Sequence, residues 1–312
     1  MFRHQIVTIV LLFGVICGTS AQQDVSFAHY WAMETSFNPA AAGKQKLINV
    51  TGAYAMSMVG FEGNPKTMYV AADMPLYLLN SFHGVGLQLT NDDIGLFTHQ
   101  RLAAQYAFKQ RLFGGTLSIG VQVGLLSEKF RGSELDLDKQ EDPAFTKTDV
   151  NGTALDLGAG LFYQHGNWYA GASVTHATAP QVELGDKTIY EVSRTYYLTG
   201  GYNIRLHNPF YTIHPSLLAR TDGTGYRVDV TARVKYIYEK RMFYAGLAYS
   251  PTNSVTALIG GNFHGISIGY SYEAYTSKLS FKNGSHELFV GYQTELNFGR
   301  KGRNRHQSVR IL

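Results

Sequence analysis

The stretch Tyr226–Tyr238, YRVDVTARVKYIY, decides how the chain folds. Its even positions, Tyr226, Val228, Val230, Ala232, Val234, Tyr236 and Tyr238, are apolar or small, and its odd positions are Arg227, Asp229, Thr231, Arg233, Lys235 and Ile237. A period of two marks a strand with two unlike faces. In a soluble sheet the apolar face covers a core and the charged face meets water. In a membrane barrel the order is reversed: the apolar face meets lipid and the charged face lines a wet lumen.

The same alternation returns along the chain. It predicts strands over 47–58, 66–74, 82–90, 98–108, 115–126, 153–164, 168–176, 189–204, 211–220, 226–238, 241–249, 255–263, 265–276 and 286–298, about fourteen in all. The second faces separate the two architectures. In TLSIGVQVGL, Leu117, Ile119, Val121, Val123 and Leu125 alternate with Ser118, Gly120, Gln122 and Gly124. In ISIGYSYEA, Ile266, Ile268, Tyr270 and Tyr272 alternate with Ser267, Gly269, Ser271 and Glu273. A soluble sheet carries long charged residues on its wet face, whereas these faces are small and polar, as a crowded lumen requires. Tyrosines near strand ends fit aromatic girdles at the membrane interfaces. The reading is an all-β, up-and-down antiparallel transmembrane barrel, with a secreted β-sandwich as its soluble competitor.

Connection lengths test this independently, because bacterial barrels keep short turns on the periplasmic side and longer loops outside. The connections after even-numbered strands, near 77–80, 109–113, 165–167, 207–209, 239–240 and 264, are short, whereas 127–150, 177–188 and 277–285 are long. Arg227, Asp229, Arg233 and Lys235 are then expected to point into the lumen, with Glu273, Glu287, Glu295 and Asp156 as available partners.

Composition agrees. The 312 residues include 33 glycines and 21 tyrosines but only 16% charged residues, a mixture that favours strands over helices. The first residues read as an export leader: Arg3 and His4, an apolar run over 6–16, then Thr19-Ser20-Ala21 as a cleavage site, so the mature chain is expected to start at Gln22. Cys17 is the sole cysteine; a lipid anchor there is disfavoured by Ile16, and cleavage at residue 21 leaves no thiol for disulfides. After residue 21 no apolar run approaches the roughly 20 residues of a spanning helix, so membrane passage requires a closed barrel.

The expected organisation is a leader over 1–21, a periplasmic or plug segment over 22–46, the barrel over 47–298 and a basic periplasmic tail over 299–312. The segment before the first strand is aromatic, with Phe27, Tyr30, Trp31 and Phe37, and carries a turn signal at Asn38-Pro39 and a terminating Gly43. Its readings are a flexible leader, a lumen plug or a periplasmic rim contact. The tail holds Arg300, Lys301, Arg303, Arg305 and Arg310 without an acid. It reads either as a solvated end or as a docking peptide for an acidic partner.

Catalytic motifs are lacking. The eleven histidines have no ligand spacing, which gives no support for a metal site or cofactor. Gly84-Val85-Gly86 and Gly158-Ala159-Gly160 read as lumen-facing strand glycines, not phosphate loops. The acidic run with Glu134, Asp136, Asp138, Glu141 and Asp142 starts like a calcium loop, but Glu141 stands where the turn glycine belongs and Lys147 where the bidentate glutamate belongs. It reads as an exposed loop. A net charge of +4 on an exported chain argues against nucleic acid.

Three stretches carry a resemblance: QDVSFAHYWAMETSFNPAAAG, VGFEGNPKTMYVAADMPL and GVGLQLTNDDIGLFTHQRLAAQYAF. They are similar to the PorP/SprF family of Bacteroidetes outer-membrane proteins of the type IX secretion system, with the PorP branch as the expected place. The matching positions are Asn38, Pro39, Ala40 and Gly43; Gly60, Gly63, Pro65, Thr67, Asp73 and Pro75; and Gly84, Gly86, Asp93, Gly95 and Tyr106. Ala55 and Met58 stand where the family often has Arg and Trp, so a role for that pair does not transfer. The resemblance implies a non-enzymatic barrel, with gliding-motility relatives, that helps export cargo bearing C-terminal sorting domains. Its implied partners are the periplasmic ring proteins PorK and PorN with their inner-membrane motor, a peptidoglycan-binding lipoprotein such as PorE, or the cargo itself. The competing function is a transport channel of porin or fatty-acid-transporter type.

Overall fold

In the computed structural model the described residues are 24–45, 47–134, 148–185, 188–239, 241–251, 253–276 and 284–295. The leader, the basic tail and the acidic loop beyond Glu134 lie outside them. The first half of the chain forms β1 (Leu47–Met56), β2 (Lys66–Leu78), β3 (Ser81–Ile94), β4 (Phe97–Leu112), β5 (Gly115–Phe130), β6 (Val150–His165) and β7 (Trp168–Thr175). A hairpin follows, β8 (Gln181–Leu184) with β9 (Thr188–Glu191), and then β10 (Thr195–Tyr202) with the two-residue β11 (Ile204–Arg205). The ring is completed by β12 (Tyr211–Thr221), β13 (Tyr226–Tyr238), β14 (Arg241–Ser250), β15 (Ser254–Phe263), β16 (Ile266–Tyr275) and β17 (Ser285–Glu295).

Successive strands pair antiparallel, β7 pairs with β10 and β10 with β12, and β1 closes on β17 from Leu47↔Glu295 to Met56↔His286. Leaving out the outer hairpin and β11, fourteen staves close the ring. A closed ring leaves no strand edge unpaired, which is the condition for crossing lipid with strands. Among the described residues no helix is long and apolar enough to cross a membrane.

The opening stretch answers its own question. In β13, Asp229, Thr231 and Arg233 are buried while Val230, Ala232 and Val234 are exposed. The inversion is general: Leu87, Leu102, Val121, Val123, Leu161, Leu247, Ile259 and Val290 all stand outward, exposed by 46–63%. Such a band is stable only against hydrocarbon. Val123, near the middle of β5, sits in it; Val123→Arg is expected to destabilise the barrel in lipid vesicles by about 2–4 kcal/mol. A urea-unfolding midpoint unchanged by this substitution would put that face in water.

One end carries tight turns at Leu79-Asn80, Phe113-Gly114, Gly166-Asn167 and His264-Gly265, most of them with positive φ as two-residue hairpins demand. Phe113, Trp168, Tyr202, Tyr211 and Tyr238 stand exposed around that end. By the rule for bacterial barrels it is the periplasmic end, and the long connections lie at the other.

Two expectations need correction. The stretch 189–204 is not one strand: Thr188–Glu191 pairs with Gln181–Leu184 in the outer hairpin, and the stave starts at Thr195. The cause is Val182 and Leu184, fully buried against β5 and β6, which tie the hairpin over the ring. Strands β3, β4 and β5 also run to 14, 16 and 16 residues, past the expected ends at 90, 108 and 126. Asn91-Asp92-Asp93 resembles a turn but continues the ladder opposite Gln100, His99 and Thr98, because polar residues pair freely where the ring rises out of the lipid.

Candidate functional site

The lumen contains the segment that precedes β1. Residues 24–45 form three short 3-10 turns, Tyr30–Ala32, Glu34–Ser36 and Pro39–Ala41, packed inside the ring. The aromatic residues that make this segment unsuited to water are the ones buried: Phe27 and Met33 pack with Tyr69, Tyr244 and Phe289, and Tyr30 and Phe37 with Tyr197 and Leu218.

Polar side chains from the surrounding wall hold the plug's backbone. Arg101 Nη2 donates to Ser36 O at 2.8 Å, Gln105 Nε2 to Thr35 O at 2.7 Å, and Ser173 Oγ to Phe37 O at 2.7 Å. Irregular backbone has few internal partners, so each such bond satisfies a carbonyl that would otherwise be stranded. Glu287 of β17 does the same for donors: its carboxylate accepts from Ala28 N at 2.6 Å, His29 N at 3.0 Å and His29 Nδ1 at 2.6 Å.

The family-type residues meet here. Asn38 caps its turn by accepting from Ala40 N at 3.0 Å and donates to Leu161 O of β6 at 3.0 Å. Pro39 and Ala40 are buried beside Gly120, where an added Cβ would stand 2.2 Å from Ala40 N. Gly43 has φ +59°, and its N–H donates to Asp73 Oδ2 at 2.8 Å. Across from it, a Cβ on Gly84 would stand 1.9 Å from Ala42 O. The lumen glycines are therefore the seat of the plug. Gly86 lies beside Asp73 and Gln105, and Pro75 pairs with Gly84.

The remaining matches order the β1–β2 connection. Gly60 and Gly63 have positive φ, Ser57 N donates to Pro65 O, Gly95 N donates to Gly63 O, and Thr67 Oγ1 donates to Asp92 Oδ1 at 2.5 Å. Asp93 accepts from Thr98 and Asn91, and Tyr106 bonds His83 at 2.7 Å. Ala55 is buried on the inner face of β1, and Met58 has φ 52°.

Among the expected lumen charges, Arg227 bridges Asp229 at 2.9 Å and Glu273 at 2.8 Å. Arg233 instead stacks its guanidinium 3.6 Å from the ring centre of Trp31 in the plug. Lys235 lies half-buried near the periplasmic end of β13. Glu287 serves the plug, and Asp156 bonds His176 at 3.0 Å. The tail residues Arg300, Lys301, Arg303, Arg305 and Arg310 are outside the described residues. Among the described residues no three His, Cys, Asp or Glu side chains are grouped to hold a metal ion.

Sequence reasoning missed Asp24, Arg101, Gln105 and His176. Arg101 and Gln105 had a signal, since they share the inner parity of β4; Asp24 and His176 belong to irregular segments and had none. Asp24 accepts from Tyr197 at 2.7 Å and Thr175 at 3.1 Å, and lies 3.5 Å from His176 Nε2. Burial by itself would raise Asp24, but His176 and Arg101 hold it far below the usual carboxylate range. Burial would likewise lower His176, but Asp24 and Asp156 push it up to about 9.

The signs of these shifts give a prediction. The His176 contribution is complete below its ordinary value of 6.5 and is lost as pH rises through about 9. The Asp24 contribution is present above 3.8 and fades as pH falls below it. With Trp168→Phe leaving Trp31 as the only described indole, its fluorescence midpoint in urea is expected to be highest between these limits and to fall toward pH 9. His176→Gln should remove the alkaline fall; a wild-type midpoint flat from pH 6 to 9 would refute the assignment.

The family model described as "Type IX secretion system membrane protein PorP/SprF" matches residues 19–292, the plug and nearly the whole ring. The chain belongs to the PorP/SprF family. No curated protein matches it in sequence. Solved structures similar to this PorP/SprF barrel include a FadL homologue of Pseudomonas aeruginosa, with 10% identity and a TM-score of 0.51 over 83% of this chain and 92% of that one. The CymD monoaromatic hydrocarbon channel has 9% identity and a TM-score of 0.48 over 87% and 94%, and the Pseudomonas putida toluene transporter TodX has 10% and 0.47 over 83% and 92%. At such identity the likeness to the FadL homologue shows a shared barrel fold and nothing of the cargo. The resemblance of the three N-terminal stretches is thereby extended along the PorP/SprF barrel to residue 292.

Proposed function

We propose that the protein is a non-enzymatic outer-membrane component of the type IX secretion system, exported with cleavage of its leader, which links the outer membrane to the periplasmic machinery. The match to the family over residues 19–292 carries this reading. The occupied lumen supports it, because a barrel filled by its own residues 24–45 is built as a rigid body more than as an open conduit. The partners it fits are the ring proteins PorK and PorN with the inner-membrane motor, or a peptidoglycan-binding lipoprotein such as PorE. Cargo with C-terminal sorting domains then passes through the assembled system. The basic tail, Arg300 to Arg310, is a second surface that a periplasmic partner can reach.

Affinity purification of the tagged full-length protein from mildly cross-linked outer membranes is expected to recover periplasmic secretion components above an untagged control. Recovery of the barrel alone would reject the anchor. The second reading, a transport channel, draws on the likeness to a FadL homologue and on a cavity of about 130 Å3 on the outer side of the plug, lined by Asp92, Arg101, Glu128 and His176. It requires the plug to move, and conductance decides it.

A further inference from the structure

At the periplasmic end of the lumen, beside the plug's exit at Gly43–Gln45, lies an open cleft of about 340 Å3. Lys109 and Arg111, neighbours on the inner row of β4 with Gln110 between them, project into it, and Tyr77 and Phe82 face each other across β2 and β3 with ring centres 5.0 Å apart. Lys44 at the rim is already paired with Glu34. Lys109 is nine-tenths buried, yet neither it nor Arg111 makes a hydrogen bond or ion pair with a described residue. The nearby acid, Asp73, is held by Gly43 N and the Asn49 amide. Asp73 and Glu34 act on Lys109 only from beyond ion-pair distance, so its amine has open space beside it in which an anion entering the cleft would make the direct contact that the wall does not supply.

We infer that this cleft is the docking site for an acidic segment of a periplasmic protein partner, with carboxylates on Lys109 and Arg111 and an apolar side chain against Tyr77 and Phe82. The cleft lies inside the ring and faces the periplasm, so the surrounding lipid headgroups do not reach it. Its length of wall suits an extended peptide: strand spacing places two cations and two rings within a few residues of chain. The chain's own tail carries five cations and no acid, so its charge opposes entry. The assignment rests on the anchor reading and names the surface through which the anchor is made.

The test uses the full-length protein in its own cells, with the photo-reactive p-benzoylphenylalanine in place of Tyr77, which is 61% exposed and tolerant of a bulkier ring. Irradiation is expected to give an adduct in which mass spectrometry maps an acidic peptide of another polypeptide. In the same background, the double variant Lys109→Gln with Arg111→Gln should lower the adduct by about tenfold or more, as loss of a buried charge partner does, while the amount of barrel in the membrane is unchanged. Absence of an adduct, an adduct to lipid or to residues of the same chain, or an adduct indifferent to the double variant would each overturn the site. If affinity purification still recovers secretion components in those cases, the anchor stands and only this surface is wrong. If it recovers none, both fall.

Discussion

Replacing Gly120 by valine is expected to open the barrel. Gly120 lies on the inner row of β5, and a Cβ there meets Ala40 N at 2.2 Å and Pro39 C at 2.5 Å, both backbone atoms that no rotamer change can move away. Valine suits a strand, and the β4 and β6 ladders on either side of Gly120 do not depend on its side chain. The conflict therefore falls on the plug, whose segment 38–43 is held by side-chain bonds of about 1 kcal/mol each. In planar bilayers the wild type should be closed to ions and Gly120→Val should conduct steadily. Gly160→Val, whose Cβ would stand 2.1 Å from Asn38 Oδ1, is the second variant should the first fail to insert. Variants that insert as heat-modifiable barrels and stay closed would mean that the plug is not what closes the lumen. Steady conductance from the wild type would favour the channel reading.

The second large effect is expected at Glu287. Its carboxylate accepts three hydrogen bonds from the plug, and His29 is fully buried with Nε2 already lacking a partner. Glu287→Ala strands two backbone N–H groups and the imidazole in a space sealed from solvent. Leaving each buried donor without its acceptor costs about 1–3 kcal/mol, so the three together are expected to cost about 3–5 kcal/mol, and Glu287→Gln, which keeps one acceptor oxygen, should cost less than half of that. Because β17 pairs with β1, the loss also acts on the seam of the ring. The measurement is the urea midpoint of folding into vesicles. A shift below about 1 kcal/mol would show that water reaches the site and replaces the carboxylate.

The barrel was legible in the sequence because lipid and lumen impose opposite demands on alternate residues. Tyr226–Tyr238 alone carries enough of that alternation to rule on which face is wet. The turn parity added direction, since loop length differs between the two sides of the membrane. The interior was less legible. Parity tells that Arg233 and Glu287 point inward, yet the first finds Trp31 and the second finds His29, partners set by where an irregular segment happens to run. The small lumen faces were read as a consequence of crowding; the glycines at 84, 120 and 160 are spaced by the plug's backbone, which no periodicity in those strands reveals. The hairpin at Gln181–Leu184 escaped for a similar reason, since its alternation is that of a stave while its burial comes from lying over one.

The course of the plug bears on how the molecule is made. Asp24 is gripped by Tyr197, Thr175 and His176 toward the outer half of the ring, while Leu47 starts β1 at the periplasmic end. From Asp24 the chain therefore runs from the outer half of the cylinder back toward the periplasm before its first stave. The cylinder is complete only when its final stave, β17, meets β1. That last arrival carries the Glu287 that seizes residues 28 and 29. Assembly thus resembles closing a case around contents already laid inside, with the clasp on the final panel: a chain that zips shut before residues 24–45 are in place is left with a hollow barrel and an excluded plug.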